Sequence, residues 1–83
     1  SKVILKSKHG TATLFAFDQG QELHEHTADF DALLTIIDGE ARVYLDGQKY
    51  GLTQGDIMVL PANVPHALRA NKRFKMVLTI IKN

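Results

Sequence analysis

Residues 23–41 read LHEHTADFDALLTIIDGEA. Two of the four histidines of the chain, His24 and His26, stand two positions apart here, and a largely apolar run at residues 32–37 follows them. Side chains two apart in a strand leave the same face, so we expect both imidazoles on one side of a sheet. The two side chains are then either exposed to solvent on an edge strand or directed together at a ligand that they bind. The apolar run is typical of a strand covered on both faces or enclosed in a barrel.

The rest of the chain has the same character of short strands and turns. Asp46-Gly47 is the strongest hairpin signal, because a two-residue type I′ turn needs positive φ angles that both residue types tolerate. Asp38-Gly39 predicts another turn, and residues 27–32 allow at most one turn of helix. Strands are predicted over residues 3–5, 11–17, 21–26, 32–37, 41–45, 49–52, 57–60, 66–70 and 74–81. Such a series predicts an all-β sandwich or barrel.

Length and composition bound the class of protein. A chain of 83 residues is expected to form a single domain over residues 1–83, and a core this small needs very good packing, a metal or a partner subunit. The formal charge of +1 argues against nucleic acid as a partner. The small basic cluster at residues 72–75 is expected to be a solvated turn. Since the chain has no cysteine, disulfides, zinc knuckles and thiol nucleophiles are excluded.

No apolar stretch is long enough to cross a membrane, and no signal peptide is visible. We therefore expect a cytoplasmic protein with no membrane partner. The fourth histidine of the chain, His9, stands in a polar turn and is expected to be exposed.

A second stretch, GDIMVLPANVPHAL at residues 55–68, carries a family resemblance. Gly55, Pro61, Asn63 and His66 fall on the spacing G-x5-P-x-G-x2-H of the second motif of the cupin family, with Asn63 where glycine is usual. The exchange is mild, because asparagine is the commonest non-glycine residue in the left-handed conformation. Residues 20–39 resemble the first cupin motif, with its His-x-His and its closing glycine. The chain thus resembles a small single-domain cupin of the conserved barrel type.

The resemblance implies a double-stranded β-helix, a jelly-roll barrel, and a metal bound by His24, His26 and His66. It also implies a glutamate ligand, which this chain lacks, since counting back from Gly39 by the family spacing arrives at Ala32. The fourth ligand is therefore absent, supplied by Asp31 through a local bulge, or replaced by water. The gap of three residues between Gly20 and His24, where the family usually has five, affects the loop more than the site.

Three neutral imidazoles suit a divalent transition metal: zinc, iron, nickel, copper or manganese. Three protein ligands with open positions are typical of a catalytic rather than a structural site. Three functions remain open: a metal-dependent enzyme such as a dioxygenase or isomerase acting on a small molecule, a non-catalytic ligand-binding or sensor module, and a remnant cupin without metal. For the enzyme, the only candidates for a further acid or base are Tyr44, Tyr50, Asp29 and Asp31, so the sequence does not decide whether the chain is an enzyme.

A homodimer is also predicted. The apolar runs at residues 32–37, 57–60 and 74–81 supply more apolar side chains than one interior face can hold, and residues 11–17 are also partly apolar on both phases. Strands that are apolar on both faces need cover on both. One barrel layer covers the inner face, and a second copy related by a two-fold axis could cover the outer one. Small cupins are commonly dimers, so the resemblance implies the same.

Overall fold

The structure, a computed structural model, describes residues 1–82 and consists of antiparallel strands joined by turns. Residues 27–30 form a loop instead of the helical turn that the sequence allowed. The strands are β1 (Lys2–Ser7), β2 (Gly10–Phe17), β3 (Glu22–His26), β4 (Asp31–Leu45), β5 (Gln48–Thr53), β6 (Ile57–Leu60), β7 (His66–Arg69) and β8 (Phe74–Ile81).

The strands form two layers that share β4. Its first half pairs with β8 and β6, which gives the first sheet the order β1-β2-β8-β4-β6. Its second half pairs with β7 and β5, which gives the second sheet the order β3-β7-β4-β5. Two antiparallel sheets that curl around one interior through a shared strand form a jelly-roll barrel. The all-β prediction, a double-stranded β-helix of the cupin type, is therefore confirmed.

The long strand β4 corrects one predicted turn. Asp38 and Gly39 do not end a strand, because β4 continues through them with a register shift between Ile36 and Asp38. The extra residue is a β-bulge, which bends the strand and reverses its alternation. Before the bulge the buried side chains of β4 are at even positions, and after it they are at odd positions.

Gly39 is required at this bend. Its φ is 77°, and a Cβ there would collide with the carbonyl oxygen of Arg73 on the approach to β8. Only glycine combines a left-handed φ with so close a backbone approach. The bend carries β4 from one sheet to the other and so closes the barrel.

The core lies between the two sheets. Leu34, Ile36 and Val43 from β4 are fully buried, and Phe74 stacks on Phe17 with ring centroids 4.8 Å apart. The predicted Asp46-Gly47 hairpin is confirmed, because both residues have positive φ and join β4 to β5 in a two-residue loop. No helix within residues 1–82 is long and apolar enough to span a membrane.

Candidate functional site

The loop before β7 sets the position of His66. Asn63 has a φ of 64°, the left-handed conformation that the sequence predicted for it. Its backbone N–H donates to the carbonyl of Ala28 at 2.7 Å. The N–H of Ala62 donates to the Oδ1 of Asp31, also at 2.7 Å. These two bonds fix the loop against the start of β4, so that β7 begins at His66 facing the barrel interior.

A bulge in β3 decides which histidine joins His66. Leu23 pairs with Leu68 and His26 pairs with His66, so three steps along β3 match two along β7. The extra residue in β3 places His26 on the inner face together with Leu23. His24 stays on the outer face, where its Nδ1 lies 3.8 Å from the Oε1 of Glu22. The expectation that His24 and His26 share a face is therefore corrected, because simple alternation does not cross a bulge.

The two imidazoles that meet are those of His26 and His66. Their ring centroids are 4.4 Å apart, with the edge of one ring toward the face of the other. The Nδ1 of His26 lies 2.9 Å from the carbonyl oxygen of His24, and the Nδ1 of His66 lies 3.2 Å from that of Val64. A carbonyl oxygen only accepts, so each Nδ1 carries the proton and donates it. In a neutral ring bonded in this way the Nε2 keeps a free lone pair, which is the form of histidine that binds a metal or accepts a proton.

His66 is the buried member of the pair, with 6% of its surface exposed. Burial lowers the pKa of its imidazole below the usual 6.5, and the neighbouring His26 lowers it further, while the hydrogen bond to the Val64 carbonyl acts in the opposite direction. His66 is therefore neutral at physiological pH, with its Nε2 able to accept.

The pair forms part of the wall of a cavity of about 270 Å³, in which His66 is buried while His26 and Phe30 are exposed. Most of the remaining wall is apolar, and one lysine completes it. The lining residues besides the histidines are Ala28, Phe30, Ala32, Leu60, Leu78, Ile80 and Lys82. A mainly apolar cavity with a few convergent polar groups is the usual form of a small-molecule site.

The remaining histidines and Asp31 lie outside the cavity, whereas Ala32 lies in its wall. The side chain of His24 is 88% exposed, and His9 is exposed in the turn between β1 and β2. Asp31 is exposed, its Oδ1 accepts from the N–H of Ala62, and it does not line the cavity. Ala32, the position where the cupin resemblance places a glutamate, is buried and lines the cavity beside His26 and His66.

The histidine pair fits a transition metal in chemistry but is a partial ligand set. Two neutral imidazoles, each oriented by a carbonyl on its other nitrogen, are good donors for such an ion. Within residues 1–82 no group of three or more histidine, aspartate or glutamate side chains is placed to hold a metal. Metal binding by His24, His26 and His66 thus stays a prediction, and of the three only His26 and His66 lie next to each other.

Comparisons with known proteins agree with the fold. The cupin domain family model matches residues 13–82. The chain belongs to the cupin family. A cupin 2 conserved barrel domain protein from Leptotrichia buccalis is 39% identical, with a TM-score of 0.92 over 98% of this chain and 39% of that one. A conserved protein of unknown function from Streptococcus pyogenes is 34% identical, with a TM-score of 0.90 over 98% of this chain and 71% of that one.

One relative of this cupin has a named activity. A quercetin 2,3-dioxygenase from Bacillus subtilis is 38% identical over 47 residues, which are 57% of this chain and 14% of that enzyme. A second relative, an uncharacterised protein from Aquifex aeolicus, is 28% identical over 64 residues. The chain spans 14% and 53% of the lengths of these two proteins.

Sequence reasoning placed only His26, His66 and Ala32 of the cavity wall at the site, and Phe30 and Lys82 are among the residues that it missed. A signal for Lys82 was present. The inward phase of β8 runs through Leu78 and Ile80, and Lys82 continues it two positions further on. No comparable signal marks Phe30, because it lies in the irregular segment before β4, where no period applies.

Proposed function

We propose that this cupin binds a small organic molecule in the cavity next to His26 and His66, and that these two side chains hold a divalent transition metal there. One observation supports the proposal above the others. Two imidazoles with anchored Nδ1 atoms and free Nε2 atoms lie together in the wall of a mainly apolar cavity. Such a pair offers nitrogen ligands to a metal and hydrogen-bond acceptors to a ligand.

The metal would be zinc, iron, nickel, copper or manganese, because these ions take imidazole nitrogen readily. When bound, it would supply a positive charge and open coordination positions for an oxygen atom of the ligand. His66 is buried and neutral, so it would remain available as a ligand or acceptor down to pH values at which an exposed histidine is protonated. The role of His24 as a third ligand would need its side chain to move to the inner face.

A dioxygenase is the second candidate function. The similarity to quercetin 2,3-dioxygenase over 47 residues supports it, since that segment is more than half of this chain. Beyond the two histidines, however, the wall offers Lys82 as the one further titratable side chain within residues 1–82. A binding module without turnover needs no more than the cavity provides, so binding is the function that the geometry supports best.

Metal content and its dependence on each histidine test the proposal. The chain is purified without an affinity tag and analysed by inductively coupled plasma mass spectrometry. It is then stripped with chelator and titrated calorimetrically with Zn²⁺, Mn²⁺, Ni²⁺, Cu²⁺ and, without oxygen, Fe²⁺. We expect His26→Ala and His66→Ala each to weaken metal binding at least about tenfold, because each removes a side chain that would bind the metal directly. His24→Ala is the matched control and is expected to change the affinity less than about twofold.

Each other result has a definite meaning. An equal loss in His24→Ala would show that β3 rearranges around the metal and that all three histidines bind it. Failure of the original chain to take up any of these ions would reject the metal and leave a remnant cupin. If the chain does bind a metal, oxygen uptake with a panel of thiols and diketones separates the enzyme from the binding module.

A further inference from the structure

The cavity beside the histidine pair has one charged side chain in its wall among residues 1–82, and that side chain is a cation. Lys82 lines the cavity, whereas no aspartate or glutamate does. Asp29 and Asp31 line a separate depression with Phe30, Ala62 and Ile81. The ion pairs that the structure shows over the same residues join His24 and Arg69 to Glu22, and Lys72 to Glu40. The charge of Lys82 is therefore free of a carboxylate partner in this part of the chain.

The backbone holds Lys82 at this position. Its N–H donates to the carbonyl of His9 at 2.6 Å, which ties the segment after β8 to the turn between β1 and β2. Gly10 allows this close approach, because a Cβ there would collide with the carbonyl oxygen of Ile80. The backbone of Lys82 is consequently held both by β8, which precedes it, and by the turn between β1 and β2.

Phe30 keeps the ammonium group over the cavity wall. The Nζ of Lys82 lies 5.7 Å from the centroid of the Phe30 ring, within the range of a cation–π contact. Such a contact orients the ammonium while leaving its donors available to an anion. The partly buried position also strengthens its attraction for an anion relative to a fully solvated lysine.

We propose that Lys82 and Phe30 are specificity-determining residues that select a small organic anion, a monocarboxylate with a short or flat apolar body, as the ligand of this cavity. The inference rests on the proposed function, since it takes the cavity as the binding site. The carboxylate lies against Lys82, and the apolar body lies against Leu60, Leu78 and Ile80.

The size of the cavity restricts the body of the ligand. At about 270 Å³ it lies just below the range of roughly 300–1,000 Å³ that holds drug-sized molecules. A single ring or a short alkyl chain fits this space, whereas a molecule of several fused or linked rings exceeds it. Benzoate and hexanoate are therefore suitable probes.

The experiment compares each acid with its neutral amide. Benzoate, benzamide, hexanoate and hexanamide are titrated into the chain as purified and again after chelator treatment. Binding is followed by the methyl NMR signals of Leu60, Leu78 and Ile80. We expect each acid to bind about fivefold to tenfold more tightly than its amide, and we expect the preference to decline as salt is raised. Lys82→Met, which keeps the length of the side chain, is expected to abolish the preference with little change in amide binding.

Lys75→Met is the matched control, because Lys75 is an exposed lysine of β8, the strand that precedes Lys82, and does not line the cavity. It should keep the full preference for the acids. Equal binding of acid and amide, or a preference that survives in Lys82→Met, would overturn the role of Lys82 and leave the cavity as a ligand site. Probes that leave all three methyl signals unshifted would reject the cavity site itself and this inference with it.

Discussion

At Ala32 a methyl group stands where the cupin resemblance places a carboxylate. The sequence alone located this difference, and the structure places Ala32 in the same cavity wall as His26 and His66. Asp31 was the alternative donor, but it binds the backbone of the loop before β7. The family spacing could therefore predict which position faces the site. It could not predict the role of Asp31, which depends on a contact 31 residues away in the chain.

Ala32→Glu tests the missing ligand. A buried glutamate without a partner costs stability, whereas one beside a bound metal is compensated and adds an oxygen ligand. We expect the metal-free variant to melt below the original chain and Zn²⁺ to raise its melting temperature more than that of the original. Ala32→Gln is the control of equal size without charge, and it should not gain in metal affinity. A glutamate variant that binds Zn²⁺ no better than the glutamine one would show that position 32 does not reach the metal.

The burial of His66 predicts a pH dependence of stability. Its pKa is lowered in the folded chain, so between that value and the usual 6.5 the unfolded chain binds more protons. Stability is then complete above about pH 6.5 and falls as the pH decreases, by at most about 1.4 kcal/mol per pH unit for one proton. Urea unfolding of metal-free protein between pH 5 and 8 measures the slope. His66→Gln should flatten it and His24→Gln should not, and equal slopes in all three proteins would contradict the assignment.

At the scale of the strands, the sequence patterns predict which strands exist, and the structure departs from them where a strand contains a bulge. The period of two located every strand, because alternation and turn residues carry that information directly. The bulges in β3 and β4 each add one residue and reverse the alternation that follows. A single extra residue leaves no clear signal in the local sequence, because the position of a bulge depends on how the strand pairs with strands that are distant in the chain. This is why His24 was expected beside His26 and why β4 was divided at Asp38-Gly39.

Gly39→Ala tests the bend that carries β4 between the sheets. Gly47→Ala is the matched control, since both glycines have a left-handed φ but the space around Gly47 is open. The control should lose about 1–2 kcal/mol of unfolding free energy, because the alanine has to adopt the left-handed φ but meets no neighbouring atom. At Gly39 the collision with the Arg73 carbonyl should add about 1–3 kcal/mol. Urea unfolding of both variants checks the difference, and equal losses would mean that the bend accommodates a side chain.

At the scale of the whole molecule, the two sheets have outer faces of different character. The outer face of the second sheet is largely polar and includes Glu22, Glu40, Arg42 and Arg69. The outer face of the first sheet is largely apolar, and its members include Leu5, Leu14, Leu33, Ile57, Val59, Val77 and Ile81. Ile57 is 64% exposed and Val59 is 56% exposed. The sequence indicated this surplus of apolar side chains, since the inner phases of the same strands already fill the core.

We therefore expect a homodimer in which the outer face of the first sheet packs on its two-fold copy. An apolar sheet face of several strands is unfavourable in water, and an isologous contact covers it on both copies at once. Sedimentation velocity and light scattering at micromolar concentration should give a mass near twice the 9.2 kDa of one chain.

Two substitutions locate the contact. Val59→Lys places a charge within the proposed interface, on its edge strand β6, and should produce a monomer, because an unpaired buried charge is costly. Tyr44→Lys adds the same charge to the outer face of the second sheet and should leave the dimer intact. A dimer that survives in Val59→Lys but dissociates in Tyr44→Lys would move the interface to the second sheet. A mass near that of one chain for the original protein would mean that the barrel is stable with this apolar face in water.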